Sequence, residues 1–214
     1  FSVSPGGTLT YPTVANTSFK AQTLRQVVSN GPSLNAYAKL WNSSSGNLAN
    51  IWRGNASGLG GFRGLFSFGY GLDSTGSRFI CGCTASTGNL INNAGADPSA
   101  ALNFFGVAFD AADVSGSNFL VMHNDGAGTA TRLDSGIARN TSHWYQLRFA
   151  SPPAGSYIDV QFLNMSLGTS FSSRLSSNIP DSATFLMCPR IDSASVAVNA
   201  TASVEWSSII IAEY

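Results

Sequence analysis

Phe62-Arg63-Gly64-Leu65-Phe66-Ser67-Phe68-Gly69-Tyr70, followed after a Gly, Asp, Ser and Thr turn by Phe79-Ile80-Cys81-Gly82-Cys83, decides the fold. Phe62, Phe66, Phe68 and Tyr70 share one parity, and Phe79, Cys81 and Cys83 repeat it. Successive side chains of a strand point to opposite faces, so each run buries one face, and the pair reads as two adjacent strands. The same period continues through Phe105, Val107 and Phe109, then Phe119 and Val121, then Tyr145, Leu147 and Phe149, then Ile158, Val160 and Phe162. Opposite faces carry Ser, Gln, Arg and Asp. Phe185 and Met187 suggest a further strand, and Val204 to Tyr214, through Ile209, Ile210 and Ile211, reads as a closing strand buried on both faces.

Turn chemistry separates these runs: Leu72-Asp73-Ser74-Thr75-Gly76, Asn124-Asp125-Gly126 and Pro152-Pro153-Ala154-Gly155. A meander of hairpins with eight or more strands in one domain means two packed sheets or a barrel. The long apolar segments favour two sheets. The predicted fold is all-β, a two-sheet antiparallel jelly-roll sandwich over residues 33–214. Residues 1–32, whose opening stretch is rich in Ser, Thr, Pro and Gly, are predicted to be an extended N-terminal arm or linker.

The 214 residues carry only 10% charged side chains, with eleven basic and eleven acidic groups in balance. Ser, Thr and Asn number 32, 14 and 17, so uncharged groups must supply most of the polar surface. With no broad positive field, nucleic acid is a poor partner. No apolar run approaches the roughly 20 residues of a membrane span, so no membrane insertion is expected. The start at Phe1 reads as a processing site or chain boundary. Low charge lowers the cost of burying surface between subunits.

Cys81, Cys83 and Cys188 are too few for a disulfide framework and fit a reducing assembly compartment. As neighbours on one strand face, Cys81 and Cys83 read as core residues. His123 and His143 have no ligand spacing, so no metal and no cofactor are expected. His123-Asn124-Asp125-Gly126 has oxygen and nitrogen donors for a cation, but Asp-Gly is a hairpin signal and the turn reading is preferred.

Bond-breaking chemistry is sought in the carboxylates. A glycosidase needs two of them flanking the scissile bond. Asp110, Asp113, Asp125 and Asp134 surround turns, while Glu205 and Glu213 share a parity in the last strand; no pairing emerges. There is no Gly-x-Ser-x-Gly elbow. Gly58 to Gly64 lacks the Lys-Ser/Thr and the helix of a phosphate loop, so it reads as a backbone bend or close strand approach. No catalytic residue is assigned, and the chain is expected not to be an enzyme. Six Asn-x-Ser/Thr sequons occur, but roughly four arise by chance at this composition, which leaves the glycosylation pattern little weight.

Trp41 and Trp52 stand outside the alternation in a stretch of Ser, Gly and Asn. Exposed aromatic rings stack on sugar rings, although a Trp also serves to cover one end of a sandwich. Trp41, Asn42 and Trp52 are the candidate ligand-binding residues. Trp144 and Trp206 fall within strands and read as structural.

Four segments carry a resemblance: Ile51 to Phe62, Met122 to Gly126, Trp144 to Gly155, and the closing Ile-Ile-Ile-Ala-Glu-Tyr. Together, over roughly residues 33–214, they resemble the concanavalin-like jelly-roll domains near the ends of bacteriophage tail fibre and tailspike proteins. The resemblance implies a virion structural protein on the particle exterior, assembled in the bacterial cytoplasm. It implies a homotrimer contacting other virion proteins and binding host surface polysaccharide. A capsid decoration or head-fibre protein and a polysaccharide depolymerase are the alternatives.

Overall fold

The computed structural model describes residues 2–3, 8–10, 26–30, 35–39, 51–85, 91, 96–114, 116–181, 187–195 and 201–214. Within them run Ser2–Val3 (β1), Thr8–Thr10 (β2), Gln26–Asn30 (β3), Asn35–Lys39 (β4), Phe62–Tyr70 (β5), Ser77–Thr84 (β6) and Phe104–Phe109 (β7). The series continues with Asn118–Asn124 (β8), Thr131–Ala138 (β9), Tyr145–Ser151 (β10), Ile158–Asn164 (β11), Thr169–Leu175 (β12), Cys188–Ser195 (β13) and Ala202–Glu213 (β14). The only described helical element is the short 3-10 turn Pro98–Ala100.

Two seven-stranded sheets result, in the orders β1-β4-β13-β6-β7-β8-β9 and β12-β11-β10-β5-β14-β3-β2, and every strand pairing is antiparallel. The chain is a jelly-roll sandwich, as its alternation predicts. Of the predicted arm, β1 pairs with β4 on one sheet, and β2 and β3 extend the edge of the other. Phe185 lies outside the described residues, while Met187 bridges to Ile51.

One expectation changes in kind. β5 and β6, adjacent in sequence, do not pair; they belong to different sheets. Residues 71–76 are an arch across the sandwich rather than a tight hairpin, and the aromatic faces of β5 and β6 meet across the core. Phe68 stacks on Phe79 with centroids 5.5 Å apart, and Tyr70 lies 5.3 Å from the same ring. Two strands with one apolar face each bury it equally well side by side or face to face, which is why periodicity could not separate the two. True hairpins join β7 to β8, β8 to β9, β10 to β11, and β11 to β12.

Phe119 on β8 shows how the layers lock. Its ring meets Tyr70, Phe79, Phe109, Tyr145 and Phe162, drawing on both sheets, with centroids from 4.9 to 5.8 Å. Cys81 and Cys83 sit fully buried among these rings, and desolvation pushes both thiols well above their usual range. The core reading of these cysteines holds.

The outer faces of the sheets differ. On the first sheet Ile80, Phe104, Ala108 and Met122 form a second apolar cluster with Ile91 and Ala101. Arg78 pairs with Asp97 beside this cluster at 2.6 Å. Arg190 and Asp192 are buried on the same sheet as an ion pair, 2.7 Å apart. Gly82 and Gly106 are register partners whose absent side chains permit close strand contact; a Cβ on either would strike the opposing backbone. The first sheet is therefore sandwiched between two apolar layers at β6 and β7.

On the second sheet the closing strand does not behave as predicted. Ala202 and Val204 to Trp206 are buried, but Ile210 is 59% exposed. A bulge between Trp206 and Ser208 shifts the register, so Glu205 faces Gly69 while Glu213 faces Phe62. The shared parity of the two glutamates is lost, since one extra residue reverses every side chain beyond it. Truncating the Phe119 ring tests the interlock: Phe119→Ala should lose about 3–5 kcal/mol of stability, read as a lowered urea midpoint with little change in slope.

Candidate functional site

Trp41 and Asn42 lie outside the described residues. Trp52 is half-buried on the 51–61 loop, where its carbonyl accepts the amide of Gly61 at 2.9 Å. Its neighbour Arg53 is buried and donates from Nε to the Gly155 carbonyl at 3.0 Å and from Nη1 to the Pro180 carbonyl at 2.7 Å, with Nη2 also on Gly155. Burial lowers the Arg53 pKa against an opposing pull from Asp181. One guanidinium thus ties three loops together. Gly61, at φ +85°, lies so close to Pro153 that a side chain would collide with it, as the bend reading of Gly58 to Gly64 anticipates. Trp52 rides on this fixed junction.

His123 and its loop are likewise built into the frame. His123 Nδ1 is 2.9 Å from the Asn178 carbonyl, and burial lowers its pKa. Asn178 in turn accepts the Asp125 amide at 3.1 Å and donates to Thr131 Oγ1 at 3.0 Å. Asp125 caps the Ala127 amide at 2.8 Å, a turn role. Among the described residues no group of three or more His, Cys, Asp or Glu is placed to hold a metal ion. Asp110 and Asp113 both pair with Arg132, at 3.0 and 2.9 Å, and Asp134 accepts from Asn118 and the Gly136 amide.

The open surface is the outer face of β10, β11 and β12. Strict alternation places Tyr145, Leu147 and Phe149 inward, leaving Gln146, Arg148 and Ala150 outward, and β11 does the same with Ile158, Val160 and Phe162. Register then lines up outward residues across strands: Ala150 beside Asp159 beside Arg174, and Arg148 beside Gln161 beside Ser172. Small Ala150 and Ser172 leave room between the longer side chains, and an open depression of about 590 Å³ lies there.

Its polar groups are pre-positioned. Arg174 grips Asp159 with two bonds of 2.7 and 2.9 Å, and its guanidinium lies 3.8 Å from the centroid of the Tyr157 ring. Hydrogen bonding from Arg174 holds the Asp159 carboxyl below its ordinary pKa, and the same bond raises that of Arg174. Arg148 donates from Nε to Gln146 Oε1 at 2.6 Å and from Nη1 to Gln161 Oε1 at 3.4 Å. A flat arginine–tyrosine platform beside amide and hydroxyl groups can stack against a ring and hydrogen-bond its substituents. Sequence reading placed Arg and Gln on outward parity, but which strands neighbour one another, and hence this cluster, lay beyond it.

No protein-family model and no curated protein matches the sequence. Solved structures do match in shape. The legume lectin-like domain from Entamoeba histolytica aligns over 98% of this chain and 90% of its own, with TM-score 0.53 and 12% identity. Lectin II from Ulex europaeus aligns over 99% and 92%, with TM-score 0.52 and 13% identity. A family 7 alginate lyase solved with its product aligns over 89% and 80%, with TM-score 0.51 and 10% identity. The fold is thus the concanavalin-like jelly roll of lectins and of a polysaccharide lyase. The expectation that the chain is not an enzyme is overturned on this point: its ground was the lack of a recognisable catalytic motif or carboxylate pair, and the same sandwich carries a lyase.

The Asp159–Arg174 pair gives a direct check. A carboxyl whose folded pKa is depressed keeps its charge, and the pair, until pH falls through that lowered value. In a carboxyl-carbon NMR titration Asp159 should deprotonate below the ordinary aspartate range, and Arg174→Gln should return it to that range.

Proposed function

We propose that this chain is a glycan-binding domain of a bacteriophage tail fibre or tailspike, and that it holds host surface saccharide on the outer face of β10, β11 and β12. The observation that carries the reading is the depression over Ala150 and Ser172, open to solvent and edged by Arg148, Gln161 and Arg174, whose guanidinium is stacked on Tyr157. Its groups suit a hydroxylated ring with flat faces, and the lectin folds favour the same use. The phage assignment rests on the four resembling sequence segments. It brings a trimeric virion protein, displayed outside the particle after assembly in the bacterial cytoplasm. Trimerisation would repeat a weak site, and linked sites gain avidity of about 10²–10⁴ without new contacts when geometry allows.

Depolymerisation of the bound glycan is a second reading, favoured by the alginate lyase that shares the sandwich. It is followed by incubating the chain with surface polysaccharide and measuring chain ends released.

Binding is measured on a glycan array and on extracted bacterial surface polysaccharide. The chain should bind, and a Gln161→Ala, Tyr157→Ala double variant should bind at least about tenfold more weakly, since an aromatic platform and a hydrogen-bonding group are lost together. Unchanged binding would remove the face from consideration, and antibody labelling of virions away from the tail would remove the fibre assignment.

A further inference from the structure

The charge on this face is out of keeping with the rest of the molecule. Eleven basic and eleven acidic residues balance over the whole chain. On the outward rows of β5, β10, β11 and β12, however, Arg63, Arg148 and Arg174 stand against the single carboxylate of Asp159. Asp159 is spent on Arg174. Arg63 is exposed and is the register partner of Ala150, one step diagonally from Arg148, so the two Cα atoms are about 7–8 Å apart. Neither has a carboxylate partner among the described residues.

Arg148 is the most specific of the three. Two glutamine oxygens take its Nε and Nη1, which fixes the plane of the guanidinium while contributing no negative charge. Its Nη2 has no acceptor among the described residues. Held like this beside the depression, Arg148 has no described carboxylate beside it and an N–H edge without an acceptor among the described residues. Glutamine here does for Arg148 what Asp159 does for Arg174, without neutralising it. Two neighbouring uncompensated cations repel, and an oxyanion between them converts that repulsion into attraction.

Resting on the glycan-binding reading above, we infer that the ligand is an anionic saccharide, whose oxyanion lies against Arg148 and Arg63 while its ring lies over the Ala150 depression. Either a carboxylate or a phosphate supplies the required oxygens, and both match the arginine fork. Asp159 has a separate part: it keeps Arg174 flat on Tyr157 and away from the anion, so that Arg174 serves as stacking surface.

The test pairs charged polymers with neutral counterparts. Polygalacturonate and polysialate are compared with their carboxyl-reduced forms, and poly(glycerol phosphate) with glycerol and neutral dextran, by calorimetry with the whole chain. At least one charged polymer should bind tenfold or more tightly than its counterpart at low salt. Because the contact is solvent-exposed, that advantage should shrink by 0.5 M salt. Arg148→Gln should abolish the advantage, Arg148→Lys should keep part of it, and Arg132→Gln on the other sheet should leave it intact; melting curves confirm that each variant is folded. Equal binding of charged and neutral polymers, or an advantage untouched by Arg148→Gln, overturns the anionic assignment and leaves saccharide binding standing. Failure to bind any polymer overturns both, and a preference for phosphate over carboxylate identifies the source of the charge.

Discussion

The structure depends on a single shared aromatic layer. Phe62, Phe66, Phe68 and Tyr70 from one sheet meet Phe79, Phe105, Phe109 and Phe119 from the other, and Tyr145, Phe149 and Phe162 complete the layer. Each aromatic pair adds about 0.5–1.5 kcal/mol beyond the area it buries, so ring contacts are what join the two sheets across the core. Because rings of both sheets interdigitate, neither sheet can slide a strand register without opening a void in the other.

That rigidity is what makes the outer surface usable. With inward positions of β10 and β11 committed to Tyr145, Leu147, Phe149, Ile158, Val160 and Phe162, outward positions are held in fixed rows, and their side chains meet at set spacings. The asymmetry between the sheets then selects the surface. Over β6 and β7 the first sheet is covered by a second apolar cluster that includes Ile91 and Ala101, with the Arg78–Asp97 clasp beside it. At β10 to β12 the second sheet carries polar side chains around an open depression. The loop ends are structural junctions, as Arg53 and Asn178 show by bonding carbonyls and amides of neighbouring loops.

The expectations that failed share a cause. β5 and β6 were read as neighbours, and Glu205 and Glu213 as facing the same way; in each case a strand's own alternation is correct but its relation to other strands is not. An arch replaces a hairpin in the first, and a bulge at Ser207 reverses the face in the second. Excluding an enzyme went further than residues allow, because absence of a familiar motif says little about a sandwich whose fold also serves a lyase. Trp52 was chosen for standing outside the alternation, yet Arg148 and Gln161 of the open face were inside it as ordinary outward residues, and Arg174 lies on β12, a strand the alternation did not reveal.

The sequence by itself determined that strands form, which face of β5, β6, β7, β8, β10 and β11 is buried, that Cys81 and Cys83 belong to the core, and that two sheets pack together. All of these are consequences of a two-residue period that each segment carries locally. Tertiary structure alone decided which strands lie side by side, that a second apolar cluster covers β6 and β7, and that Arg63, Arg148 and Arg174 gather on the outward rows of β5, β10 and β12, with Asp159 the one carboxylate on those rows and that of β11. Those relations join residues as far apart as Arg63 and Arg174, and hydrogen-bond register between strands leaves no mark in the order of side chains along either one.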